Sequence, residues 1–217
     1  MGRFITLEGG EGAGKSTQIT LLKNALEASG RSVLITREPG GSPGGEDIRN
    51  LLVNGETHRW EPLTEALLNY AARYEHLQKV ILPALSEGTW VICDRFADST
   101  MAYQGYGHGM NREVIRRLHR LVVGETKPDL TLILDMPVEE GLARAGARGI
   151  IAGENTGSSE DRYERMGHEF HNRLREGFLE IAKKNPARCE VIDATGDIGA
   201  VAMAIHDAVA SKLGVTF

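Results

Sequence analysis

The chain is short of cysteine, aromatics and long apolar runs, and each shortage removes a class of protein. Among 217 residues there are two cysteines, Cys93 and Cys189. They form no CxxC spacing and at most one bridge, which argues against a disulfide scaffold and for buried, reduced thiols. No apolar stretch nears the roughly 18 residues that a spanning helix needs. The start, Met1-Gly-Arg-Phe-Ile-Thr-Leu-Glu8, meets an acid before any signal-peptide core. It fits a myristoylation pattern at Gly2 and Thr6, but the same residues read as a buried strand, and a cytoplasmic protein is expected. Aromatics are only 6% of residues, which suits an α/β protein better than an aromatic-rich binding module. Basic residues number 25 and acidic 30, a net charge of −5. No block of like charge concentrates that balance, so a broad grip on a nucleic-acid backbone is not expected. A local basic site for a small anion stays compatible with it.

Glycine is abundant instead, at 26 residues, well above the typical ~7%. The length suits one domain over 1–217. Five β-rich runs are apolar on consecutive positions: Phe4–Glu8, Ser32–Thr36, Thr89–Cys93, Leu130–Asp135 and Glu190–Asp193. That pattern fits strands covered on both faces. Helical periodicity separates them, over Ser16–Ser29, Leu63–Glu87 (with Pro83 as a kink or stop), Arg112–Val123, Val138–Ala147, Tyr163–Lys184 and Gly199–Leu213. The expected fold is α/β, a five-stranded parallel sheet with helices on both faces. Gly146–Glu160 is rich in Gly and Ser without helical period and reads as a mobile loop, either a functional lid or a tolerated insertion.

Residues 9–16 read Gly-Gly-Glu-Gly-Ala-Gly-Lys-Ser, matching G-x-x-x-x-G-K-[ST] through Gly9, Gly14, Lys15 and Ser16. Such a loop holds phosphate oxygens with backbone N–H groups, and side chains would obstruct its curl. The helix that follows aims its amino-terminal amides at the same anion. Lys15 is expected to reach the outer phosphates and the Ser16 hydroxyl to ligate Mg²⁺. An apolar strand before the motif and an amphipathic helix after it supply the right context. A second metal carboxylate is expected at a strand end, where Asp94 and Asp135 both stand; Asp94 is favoured, and Asp135 reads as a helix cap. Glu11 is an acid in a loop that must bind polyanions. It either faces solvent or accepts a hydrogen bond from a substrate hydroxyl. His168 and His171 are three apart, which does not match the H-E-x-x-H zinc pattern.

Arg37-Glu-Pro-Gly-Gly41, Asp94-Arg-Phe96 with Ser99 and Ala102-Tyr-Gln-Gly105, Asp161-Arg-Tyr-Glu164 and Ile192-Asp-Ala-Thr195 follow the phosphate loop in order. Together these segments resemble the bacterial thymidylate kinase family over nearly the whole chain. The resemblance implies a P-loop nucleoside monophosphate kinase core, transfer of the ATP γ-phosphoryl group to dTMP with Mg²⁺, and a homodimer. By matching position it implies an ATP site of Gly9, Gly10, Glu11, Gly12, Ala13, Gly14, Lys15, Ser16 and Thr17, with Asp193, Ala194 and Thr195 beside the adenine. It places Arg73, Arg95 and Arg37 near the dTMP phosphate and Glu11 at the sugar 3′-hydroxyl. Pro39, Ser99, Tyr103 and Gln104 line the acceptor pocket, with Gln104 facing the base.

Two departures from the family pattern stand out: the residue at 69, and a lid longer than in compact bacterial members, with twelve residues between Arg148 and Asp161. Asn69 stands where many relatives carry a base-stacking phenylalanine, and Tyr70, one place on, is the substitute ring. No arginine lies at positions 10–13, so the catalytic positive charge falls to a lid, approximately 144–164, with Arg144, Arg148 and Arg162 as candidates. Another small-molecule kinase on the same core, or a nucleotide-dependent switch, is the alternative.

Overall fold

The computed structural model describes residues 2–151 and 162–217, without the side chains of 148–151. Five strands, β1 (Phe4–Gly9), β2 (Val33–Arg37), β3 (Trp90–Asp94), β4 (Leu130–Asp135) and β5 (Cys189–Asp193), form one sheet in the order β2-β3-β1-β4-β5. Every pairing is parallel, with Leu7 opposite Asp94 on one side of β1 and opposite Leu132 on the other.

The helices are α1 (Lys15–Ala28), α2 (Pro43–Val53), α3 (Pro62–His76), α4 (Leu82–Ser86), the single turn α5 (Ala97–Thr100), α6 (Arg112–Val122), α7 (Val138–Ile151), α8 (His168–Lys184) and α9 (Ile198–Leu213). Alternate strand residues serve opposite faces. Ile5, Leu7, Ile92, Leu132 and Leu134 share a core with Leu22 of α1 and Ile205 of α9. Phe4, Val91 and Cys93 face the other way, against Tyr70, Phe96 and Ile115. Ile133 joins Tyr103, Leu174 and Phe178 on that second face. The inner strands β1, β3 and β4 are covered on both faces, which is why they read as continuous apolar runs, whereas the edge strands leave Ile35 and Val191 exposed.

Several boundaries differ from expectation. The segment 63–87 is a helix to His76, then a π-helical turn over Leu77–Ile81, then α4. Pro83 lies in the first turn of α4, where its missing N–H is tolerated. The helix expected from Tyr163 starts at His168. The expected loop from Gly146 is helical to Ile151, and residues 152–161 of the expected lid lie outside the described residues. Helix α2 went unpredicted, although Ser42 caps it by accepting from Gly45 N at 3.2 Å and Pro43 opens it. A second π-helical segment, Met101–Gly107, was also unforeseen.

Candidate active site

The chain leaves β1 towards β3 and β2 on one side and β4 and β5 on the other. The carboxyl ends of the strands at that divide are where an open α/β sheet binds ligands. The phosphate loop opens there, from Gly9 into α1. Gly12 has φ of 72°, and a Cβ on it would overlap the Gly141 carbonyl of α7. An arginine at that position has no room, consistent with the missing loop arginine. Lys15 folds back over the loop, its Nζ donating to Gly10 O at 3.0 Å and Gly9 O at 3.3 Å. Burial and the neighbouring Arg95 lower its pKa, opposed by Asp94, Glu11 and Glu8. Ser16 and Thr17 stand in the first turn of α1 with exposed side chains.

Beside the loop lies a cleft of about 650 Å³, open to solvent. Glu11, Pro39, Asn69, Arg73, Arg95, Ser99, Tyr103 and Gln104 line it, and so do Glu38, Arg49, Phe96 and Tyr163. Arg73 enters from α3, buried. Its Nε donates to Glu38 Oε2 at 2.7 Å, and its Nη2 donates to Phe96 O and Thr100 Oγ1, each at 3.0 Å. Glu38 is itself buried and also meets His76 Nδ1 at 3.0 Å, while His76 Nε2 pairs with Thr36 Oγ1 at 2.6 Å. This chain of contacts holds the guanidinium rigidly.

Arg95 adopts φ of 67°, uncommon for a residue other than glycine. The turn sends its side chain back to the phosphate loop, donating to Gly9 O at 2.9 Å and Glu11 Oε1 at 2.9 Å. Glu11 Oε1 also accepts from the Tyr103 hydroxyl at 2.5 Å. Burial pushes the Glu11 carboxyl up, but Arg95, Lys15 and Tyr103 outweigh it and hold the pKa at about 2. Burial opposes the charge on Arg95, yet Tyr103, Glu11 and Asp94 raise its pKa. Glu8 lies directly beneath. Its carboxylate accepts from Phe96 N at 2.7 Å and Ser99 Oγ at 2.5 Å, pinning the turn that carries Arg95.

Among the described residues, Arg73 Nη1, Asp94 Oδ1 and Gln104 Oε1 are buried without a hydrogen-bond partner. Such atoms are costly unless something fills the gap, and their position beside the cleft and loop marks where a ligand belongs.

Four expectations are corrected. Tyr70 does not line the cleft: its ring is buried in the core beneath Arg73, and its hydroxyl donates to Ile115 O at 3.3 Å. Arg37 does not line it either, being half exposed and paired with Glu46 at 3.0 Å; Arg49 of α2 takes that wall. Arg162 is fully buried, its guanidinium donating to the carbonyls of Leu52, Glu56 and Thr57 and lying 2.5 Å from Glu65 Oε2. Asp135, expected as a helix cap, accepts from Arg175 of α8 at 2.7 and 2.9 Å. Arg144, expected as a lid arginine for the phosphates, reaches Ala194 O at 3.2 Å and Thr195 O at 3.4 Å beside the last strand and pairs with Glu140 at 2.5 Å. Asp193 holds the Thr195 turn through its N–H and hydroxyl. The Arg148 side chain lies outside the described residues.

A central parallel sheet, a phosphate loop and an adjoining arginine-walled cleft define a P-loop kinase that pairs a nucleotide with a small anionic acceptor. A family model described as thymidylate kinase matches residues 7–205. Thymidylate kinase of Caulobacter vibrioides is 55% identical over 214 residues, covering 99% of either chain. That of Geobacter sulfurreducens is 47% identical, over 98% of this chain and 99% of the relative. The crystal structure of thymidylate kinase from Ehrlichia chaffeensis matches with a TM-score of 0.74 and 39% identity, covering 96% of this chain and 98% of that one. The chain belongs to the thymidylate kinase family.

Proposed function

We infer that this chain phosphorylates dTMP to dTDP with ATP as donor, through the loop and cleft described above. The carrying observation is Arg73: a buried guanidinium, fixed on one side by Glu38, with Nη1 unpartnered at the cleft wall among the described residues. Together with Arg95 it forms a cationic corner for the acceptor phosphate, next to the loop that takes the donor phosphates. Glu11 stays ionised and would repel phosphate, so it meets a sugar hydroxyl instead. Pro39, Asn69, Ser99, Tyr103 and Gln104 shape the nucleoside pocket, whose aromatic walls are Phe96, Tyr103 and Tyr163.

On the donor side, the backbone amides from Gly10 to Thr17 hold the polyphosphate. Arg144 and Asp193–Thr195 border the nucleoside of ATP. Phosphoryl transfer asks for alignment and charge neutralisation more than covalent help. Lys15 and Arg95 supply fixed positive charge there. The residues present also fit Mg²⁺, a hard cation that takes oxygen ligands. Ser16 and the unpartnered Asp94 Oδ1 are the atoms to hold it, and bound Mg²⁺ would neutralise charge on the donor phosphates.

The chain is proposed to work as a single domain, with Arg144 at the near edge of its lid. A homodimer is supported by exposed apolar side chains on two helices that pack together, Leu63, Leu67 and Tyr74 on α3 and Leu121, 81% exposed, on α6. The proposed site of action is the cytoplasm, and no helix among the described residues is long and apolar enough to cross a membrane. The test is ADP release from ATP and Mg²⁺ with dTMP, dUMP, UMP, dCMP, CMP, AMP and GMP as acceptors. Strong preference for dTMP is expected. A different preferred acceptor would overturn the pocket, and ADP release independent of any acceptor would overturn the kinase.

A further inference from the structure

Glu65, on α3, is a carboxylate with no solvent exposure, and its surroundings consist of donors. Arg162 Nη2 lies 2.5 Å from its Oε2, both side chains fully buried, and His108 Nε2 lies 3.4 Å from its Oε1. Burial pushes this carboxyl up, but His108 and Arg162 outweigh it and hold its pKa below the ordinary range. It is therefore ionised, and an ionised carboxylate only accepts hydrogen bonds.

Gln104 lies against it from the π-helical segment, with Nε2 donating to Glu65 Oε1 at 2.6 Å. An amide has one donating end and one accepting end, and Glu65 tolerates only the donating end. Gln104 Oε1 is the end left over: it is buried, lines no hydrogen bond among the described residues, and belongs to a side chain on the cleft wall.

We propose that Glu65 is a positioning residue for base selection, locking the Gln104 amide so that the cleft meets a hydrogen-bond acceptor. An acceptor on that wall suits an acceptor nucleotide whose base edge offers an N–H. Thymine and uracil carry N3–H; cytosine carries a bare N3 whose lone pair would face Oε1. The proposal rests on the dTMP reading above and adds the origin of selectivity against cytosine. Arg162, by fixing Glu65, extends the same lock to the carbonyls of Leu52, Glu56 and Thr57.

The test compares kcat/KM for dTMP and dCMP in the parent, Glu65→Gln and Glu65→Asp enzymes. A Gln at 65 offers either end of its amide, so Gln104 can turn its N–H₂ to the cleft; an Asp still accepts only. The dTMP-to-dCMP ratio should fall about tenfold or more in Glu65→Gln, partly through a gain on dCMP, a magnitude in keeping with one misdirected buried hydrogen bond. In Glu65→Asp the ratio should stay within about threefold, whatever happens to KM. An unchanged ratio in Glu65→Gln, or equal falls in both variants, would reduce Glu65 to packing and overturn the proposal. A parent enzyme inactive on dTMP would instead count against the functional reading alone. Hydrogen exchange of the Gln104 side-chain amide in the ligand-free parent, followed by NMR, requires neither activity nor a folded variant. Slow exchange is expected; fast exchange would overturn the lock.

Discussion

Arg95 Nη2 lies 2.9 Å from Glu11 Oε1, joining the end of β3 to the crown of the phosphate loop across 84 residues of chain. The pair explains why an acid is tolerated in an anion-binding loop: its charge is spent on a neighbouring guanidinium and a tyrosine hydroxyl. Arg95 in turn is held facing the acceptor cleft. Arg95→Ala should therefore raise KM for dTMP by about tenfold or more while moving KM for ATP much less, as loss of a charged hydrogen bond would. Equal changes in both constants would refute that division of labour.

Lys15 curls onto Gly9 O and Gly10 O, contacts made at the rim of the loop. Its removal takes away a charge aimed at the transferring phosphoryl group. Turnover of Lys15→Ala should drop by about a hundredfold or more. A folded variant working within threefold of the parent would disprove the donor-site assignment.

Asp94 keeps Oδ1 buried with no partner among the described residues. If that oxygen serves Mg²⁺, Asp94→Asn should raise the Mg²⁺ concentration for half-maximal rate by about tenfold. Titration of the metal at saturating ATP and dTMP checks it, and an unaltered midpoint would remove Asp94 from the metal site.

Burial, with Asp98 nearby, raises the Glu8 carboxyl to about 7, against the hydrogen bonds from Ser99 and Phe96. A carboxyl whose folded pKa lies above its unfolded one binds a proton more tightly when folded. Its contribution is complete below about 4.5 and disappears as pH rises through about 7. Relative to Glu8→Gln, the parent should lose stability between those values, measured by urea midpoints across pH. Parallel pH curves for the two proteins would contradict the raised pKa.

Arg162 serves the fold rather than the donor phosphates. Arg162→Ala strips a buried carboxylate and three carbonyls of their donor, and should destabilise the protein by about 3–5 kcal/mol. Denaturant unfolding gives that number, and KM for ATP in the folded variant should stay within about twofold. A large rise in KM for ATP with little loss of stability would restore the lid role.

Local pattern carried much of this protein. Consecutive apolar positions marked all five strands to within a residue or so, most directly the inner three, because a strand covered on both faces has no polar side to show. Gly9–Ser16 declared its chemistry outright, since only glycine permits that curl and only a lysine and a hydroxyl complete it. Asp94 and Arg95 were legible as polar residues stopping an apolar strand. Helix α2 is hard to read from sequence because Gly44 and Gly45 stand in its first turn and its apolar residues lie only in its second half.

What the tertiary structure decided were pairings between residues far apart in sequence. Tyr70 and Asn69 are neighbours, yet the rotation of α3 on the sheet buries one in the core and turns the other to the cleft. Arg37 and Arg49 are both plausible cations, and only the packing of α2 against α3 selects Arg49 for the wall. Glu8 sits in an apolar run where strand parity aims it under the Arg95 turn, and Glu38 and Glu65 become positioning groups only because Arg73 and Gln104 arrive beside them. Sequence periodicity specifies which face a residue takes on its own element. Which residue meets it there depends on register and helix rotation, and those are settled by the whole core packing at once.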